Sequence, residues 1–143
     1  MFNLNNASET EQIEAIEQII RSQKSVKLSI VESQDSTVQL EAVKQNGHAI
    51  QFINNPSEEM QLEAVKENGF AIKHIKNASE AVQLEAVKED GYPIYYIKDP
   101  SDEVQMSAIK KNPHVLSLIK KPSEAVQFRV SQINRLVDKW ASA

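Results

Sequence analysis

A phrase of six residues, Gln39-Leu40-Glu41-Ala42-Val43-Lys44, returns unchanged at Gln61 to Lys66 and again at Gln83 to Lys88, at a spacing of 22. Weaker copies start at Gln105 and Gln127 with the same spacing, and Gln12-Ile13-Glu14-Ala15-Ile16 is a further copy offset by 27. A unit this short cannot bury an apolar face alone, so it must stack on its neighbours. The period therefore decides the fold class before any other feature is read.

The unit from Pro56 to Asn77 predicts its own conformation. Ser57 is an N-cap, and Glu58 and Glu59 occupy a first turn where the helix dipole favours negative charge. Asp35, Ser79, Ser101 and Ser123 are the equivalent caps. Helix A then runs to Asn68, with Lys66 in its last turn. Gly69, like Gly47 and Gly91, is expected as a left-handed stop. Pro113 takes that place in the fourth regular unit and ends the helix by other means. A short helix B, Phe70 to Ile75, follows, too brief to hold without packing; Pro93 sits in the first turn of its copy, where proline is tolerated. On a wheel, Met60, Ala64, Val65 and Leu62 span roughly 200°, wide enough to touch neighbours on both sides. Glu59, Glu63, Lys66 and Glu67 fill the remainder.

The expected architecture is all-α: a right-handed α-solenoid of 22-residue helix–turn–short-helix repeats with longer capping helices at both ends. Read as a single α-solenoid domain over residues 1–143, it divides into three parts. An N-terminal cap and degenerate first repeat take 1–34, four regular repeats take 35–121, and a C-terminal capping helix takes 122–143. The first cap, Ser8 to about Ser22, carries Ile13, Ile16, Ile19 and Ile20. The last, Ser123 to about Ser142, carries Val126, Phe128, Val130, Ile133, Leu136, Val137 and Trp140. With both ends capped, a complete array is expected.

Composition narrows the function classes. At 41% hydrophobic and 25% charged the chain is not of the disordered kind. No apolar run reaches the 18 residues a membrane span needs, and Met1 to Asn6 lacks the marks of a signal peptide. With no cysteine there is no disulfide, thiolate zinc site or cysteine nucleophile, and a cytoplasmic location is expected. The glycosylation-type tripeptides at Asn6 and Asn77 are read as chance.

Leu62-Glu63-Ala64-Val65-Lys66-Glu67-Asn68-Gly69-Phe70-Ala71-Ile72 and Leu40-Glu41-Ala42-Val43-Lys44-Gln45-Asn46-Gly47 resemble a repeat family known only as a domain of unknown function, in bacterial, bacteriophage and large-virus proteins. The resemblance covers about residues 35–130 and departs at Pro113; the family's usual repeat is slightly longer. It implies helical repeats and no established activity. Together with the small size, it points to a bacteriophage or bacterial inhibitor or adaptor.

Three sets of residues could carry function. Gln12, Gln39, Gln61, Gln83, Gln105 and Gln127 recur at the centre of the apolar arc. Such regularity suits a structural ladder, each amide bonded to loop backbone of an adjacent brick, better than a row of ligands. The Glu41/Glu63/Glu85 and Lys44/Lys66/Lys88 rows read as a solvated, self-neutralising surface.

Helix B is the second set. Ala71, Ile72 and Ile75 point inward; His48, Gln51, Phe52, Phe70, Lys73, His74, Tyr92, Tyr95 and Tyr96 point outward, continued by His114, Ser117 and Leu118. These slots vary between units while the scaffold hardly changes, which is how repeat proteins build a binding face, with aromatic residues as anchors. The alternative is that the rings stack brick to brick and seal the layer. Tyr95, in the most outward slot, leads the candidates, with Tyr96 and His74 beside it.

The third set is electrostatic. Residues 1–104 hold 18 acidic and 9 basic side chains, whereas 105–143 hold 2 and 7. Lys110, Lys111, Lys120, Lys121 and Arg129 of that basic third could meet phosphates. They could equally attract an acidic protein, or the acidic end of a second copy.

No P-loop, dinucleotide motif or Ser-His-Asp logic is present, so no enzyme is expected and no cofactor. No metal site is expected either: His48 and His114 fall in equivalent slots three bricks apart, about 30 Å at helix-packing distance, and no paired His supports them. The reading is a non-enzymatic protein-binding repeat module using the helix B face. The alternative is a nucleic-acid-binding protein using the basic C-terminal third.

Overall fold

The computed structural model describes Ser8, Thr10, Glu11, Ile13, Glu14, Ser33 and residues 35–142. Every regular element among these residues is helical. The order is α1 Ser36–Gln45, η1 Gly47–Phe52, α2 Glu58–Glu67, η2 Gly69–His74, α3 Glu80–Val87, η3 Tyr92–Tyr96, α4 Asp102–Lys111, η4 Pro113–Leu118 and α5 Glu124–Ala141, η denoting a 3₁₀ helix. The α-helices start at intervals of 22 residues. Most of the expected N-terminal cap lies outside the described residues. Its first turn is present, opened by a capping box in which Ser8 N donates to Glu11 Oε2 (2.9 Å) and Glu11 N to Ser8 Oγ (3.4 Å).

Each α-helix begins where the sequence places its cap. Ser57, Ser79, Ser101 and Ser123 accept from the backbone N–H three residues on, and Asp35 from Thr37. Consecutive α-helices pack against one another and consecutive 3₁₀ helices do likewise, making two layers. α2, α3 and α4 each also pack on the 3₁₀ helix of the preceding brick. The seam is built from equivalent positions: Val38, Met60, Val82, Val104 and Val126; Ala42, Ala64, Ala86 and Ala108; Val43, Val65, Val87 and Ile109, all buried. Asn55, Asn77 and Asp99, in the loops before α2, α3 and α4, adopt left-handed backbone (φ 51, 52 and 50), a conformation short polar side chains tolerate.

The glycines play a different part from the one expected. Only Gly91 is left-handed, with φ 80. In the first two bricks the α-helix is ended by an extended asparagine, Asn46 (φ −151) or Asn68 (φ −152). Its side chain then caps the 3₁₀ helix, accepting from His48 N or Phe70 N at 3.0 Å. Asn112 does the same for His114, whereas in the third brick Asp90 accepts from Tyr92 N from one residue before the N-cap, Gly91. In the first two bricks helix B therefore starts on the glycine itself, in the third on Tyr92 and in the fourth on Pro113. What demands glycine is close approach: a Cβ at Gly47 or Gly69 would lie 2.3 Å from the carbonyl oxygen of Ala64 or Ala86 in the next brick, and at Gly91 2.6 Å from that of Ala108. Glycine and alanine are partners across three successive brick junctions. At the last junction Pro113 and Val130 stand in their place, both lining a cleft of about 900 Å³ between α4, η4 and α5. The larger pair cannot make the close approach, and the seam opens there.

Candidate binding face

The layer of 3₁₀ helices presents the variable side chains. Gln51, Lys73, Tyr95 and Ser117, one per brick, are exposed at the most outward slot. Tyr92, Tyr95 and Tyr96 are 44%, 54% and 47% exposed, whereas His48, Phe52, Phe70 and His74 are half-buried. Phe52 packs against the core of the first bricks, whereas the half-burial of His48, Phe70 and His74 follows from a diagonal contact that the 22-residue frame does not reveal. The first slot of one brick meets the fifth slot of the next, 26 residues on: His48 lies edge-to-face on His74 (ring centroids 5.4 Å) and Phe70 on Tyr96 (6.3 Å). Tyr95 adds to the second pair at 5.1 Å from Tyr96. T-shaped stacking of this kind fixes rings that would otherwise lose entropy when bound. Phe70, Tyr96 and Tyr95 thus form one preordered aromatic run with Tyr92 on the same 3₁₀ helix, so the rings both seal the layer and offer an outer face.

His48 meets His74, not the His114 of its own slot three bricks away. Among the described residues no group of three or more His, Asp or Glu side chains is placed to hold a metal ion. Burial, then the nearby Lys73 ammonium, holds both imidazoles below the ordinary histidine value; Glu67 opposes this weakly at His48, and the partner His48 adds to it at His74. The unfolded chain therefore binds more protons than the folded one as acid is added. Stability from this pair is complete above about pH 6.5 and declines as pH falls through the lowered folded values. Thermal melts should drop between pH 7 and pH 5 more in the wild type than in His48→Gln/His74→Gln, and parallel curves would refute the assignment.

A second cleft, of about 570 Å³, opens beside the tyrosines. Tyr95 and Tyr96 line it together with Lys98, Asp99, Asp102, Lys120 and Lys121. The basic set is accordingly divided. Lys120 and Lys121 share this cleft with the aromatic run, while Lys110 and Arg129 line the α4–α5 cleft and Lys111 lines neither. The sequence placed these cations together only as a count.

The glutamines are bonded, but inside their own brick. Gln61, Gln83, Gln105 and Gln127 Nε2 donate to the carbonyl five residues upstream, of Pro56, Ala78, Pro100 and Pro122 (2.8 to 3.0 Å), and Gln39 to that of Ser33 (2.7 Å). Each amide pins the loop that leads into its own α-helix, in place of the adjacent-brick contact expected. Ties between bricks come from other residues: Ser79 Oγ donates to Glu58 Oε1 at 2.5 Å, Ser101 to Glu80 in the same way, and Gly47 N to Glu67 Oε2 at 2.5 Å. The polar rows pair as i,i+3 neighbours, Lys66 with Glu63 at 2.7 Å and Lys88 with Glu85 at 3.3 Å.

These features define an all-helical repeat protein with a variable aromatic face. Residues 35–78 match the model of a family described as Domain of unknown function (DUF4116), two whole repeat lengths and a shorter stretch than the 35–130 read from the sequence. Comparisons with curated proteins and with solved structures return no match.

Proposed function

We propose that the protein is a non-enzymatic, cytoplasmic binding module, a right-handed α-solenoid of 22-residue repeats that docks on a protein partner through its 3₁₀-helix face as an inhibitor or adaptor. The observation that carries the reading is the run of Phe70, Tyr96 and Tyr95, with Tyr92, ordered by ring contacts yet about half exposed at the tyrosines, on a scaffold whose inward positions barely vary. Nothing in the fold requires three tyrosines to face solvent, and exposed aromatics on a rigid support are the usual anchors of protein interfaces. The uniform stack of α-helices and the separate layer of 3₁₀ helices support the solenoid part of the proposal.

The test is capture of a partner from host extract by the wild type and by Tyr95→Ala/Tyr96→Ala. Affinity should fall about a hundredfold, as loss of two anchors implies, with the circular dichroism spectrum unchanged. Equal capture by both proteins would remove the reading. The nucleic-acid alternative has less support, because the cations are divided between two clefts. It predicts binding to oligonucleotides that collapses with rising salt.

A further inference from the structure

The last helix described, α5, lacks the polar outer face that a capping repeat presents. Val126 is buried and Val130 half-buried, but every residue from Ser131 to Ser142 is exposed. Ile133 (49%), Leu136, Val137 and Trp140 (81%) are among them. The buried and uncovered residues form one stripe. Val126, Val130, Ile133, Val137 and Trp140 follow one another at steps of four, three, four and three, the spacing of a coiled-coil seam. The stripe faces the α4–α5 cleft, which Val130, Ile133 and Val137 line on one side and Met106, Ile109 and Leu116 on the other. Three turns of amphipathic helix with no described residue packed on them have little reason to hold their shape.

We propose that this stripe is the interface of a homodimer, in which α5 packs antiparallel on α5 of a second copy about a twofold axis at Ile133. The stripe is apolar in both directions from Ile133: Val130 and Val126 stand three and seven residues before it, Val137 and Trp140 four and seven after it, with the flanking Leu136 at three. A surface of that kind is complementary to itself, as an isologous interface requires. The flanks of the seam are Gln127, Asn134 and Ala141 on one side and Arg129 and Leu136 on the other. Across the twofold axis Arg129 comes opposite Val137, one turn from Trp140, so no like charges meet and a cation–π contact is available. The area suffices. Ile133, Leu136, Val137 and Trp140 of two copies would together remove roughly 1,000 Å² from water, the lower bound for a specific interface, before the cleft walls are counted. The clefts beside α5 and beside the tyrosines share no lining residue, so a dimer keeps two tyrosine faces open.

The chain has no cysteine, which makes cross-linking decisive. The antiparallel register sets Ile133 against its own copy and Trp140 against Val126. Ile133→Cys should therefore form a disulfide-linked dimer under mild oxidation, and Trp140→Cys should not. Sedimentation of the full chain should pass from monomer to dimer with concentration, and Val137→Glu/Trp140→Glu should stay monomeric with its melting curve intact. Cross-linking of both cysteine variants alike would overturn the antiparallel arrangement. A wild-type chain still monomeric at about 1 mM, the weak end of specific association, or an open series of larger species, would overturn the dimer itself.

Discussion

Gly69→Ala is expected to destabilise the protein by about 3 kcal/mol, at the upper end of the usual range for overpacking. Its new Cβ would stand 2.3 Å from the carbonyl oxygen of Ala86 and 3.0 Å from Pro93 Cγ. Neither neighbour is the end of a flexible side chain: one is backbone of α3 and the other a buried ring on η3. Relief requires the second and third bricks to separate, and a shift there also loosens Ile72 against Val82 and Ala86. Elsewhere, exchanging glycine for alanine in a non-left-handed conformation stabilises by limiting the unfolded chain. The sign here is set by the junction alone. Urea denaturation of Gly69→Ala and of Pro113→Ala provides the comparison. Pro113 is exposed, so its variant should stay within about 0.5 kcal/mol of wild type. Equal midpoints for wild type and Gly69→Ala would show that the bricks are not in close contact.

Ile72→Ala should cost a similar amount, about 2–5 kcal/mol. Ile72 is 3% exposed and shares a cluster with Val65, Val82 and Ala86, so truncation leaves a cavity between two bricks. In an array stabilised by neighbour contacts, weakening one central junction weakens every brick on either side of it. Leu136→Ala removes about the same apolar volume from the exposed stripe of α5 and should leave the melting temperature of dilute protein unchanged. Matching losses from the two variants would mean that α5 is as much a part of the core as the central bricks.

The histidine pair shows where sequence reading stops. A 22-residue frame aligns His48 with Phe70, Tyr92 and His114, and so treats His48 and His74 as unrelated slots. They touch because neighbouring 3₁₀ helices are staggered, which brings residues 26 apart together. The stagger depends on how closely two helices approach, and that is a property of pairs of elements. An aromatic or histidine at both i and i+26 was the one available signal. The tyrosines were legible for the opposite reason: an outward slot on a short helix stays outward whatever the stagger.

Local chemistry settled the period, the spans of the α-helices, their serine and aspartate caps and the buried rows, since hydrogen bonds and side-chain periodicity within one segment act over a few residues. It could not settle why Gly47 and Gly69 are glycines, which carbonyls the glutamines reach, or that α5 keeps its apolar stripe uncovered. Those depend on distances between segments. Backbone meets backbone at the Gly–Ala junctions and is held apart where Pro113 and Val130 replace them.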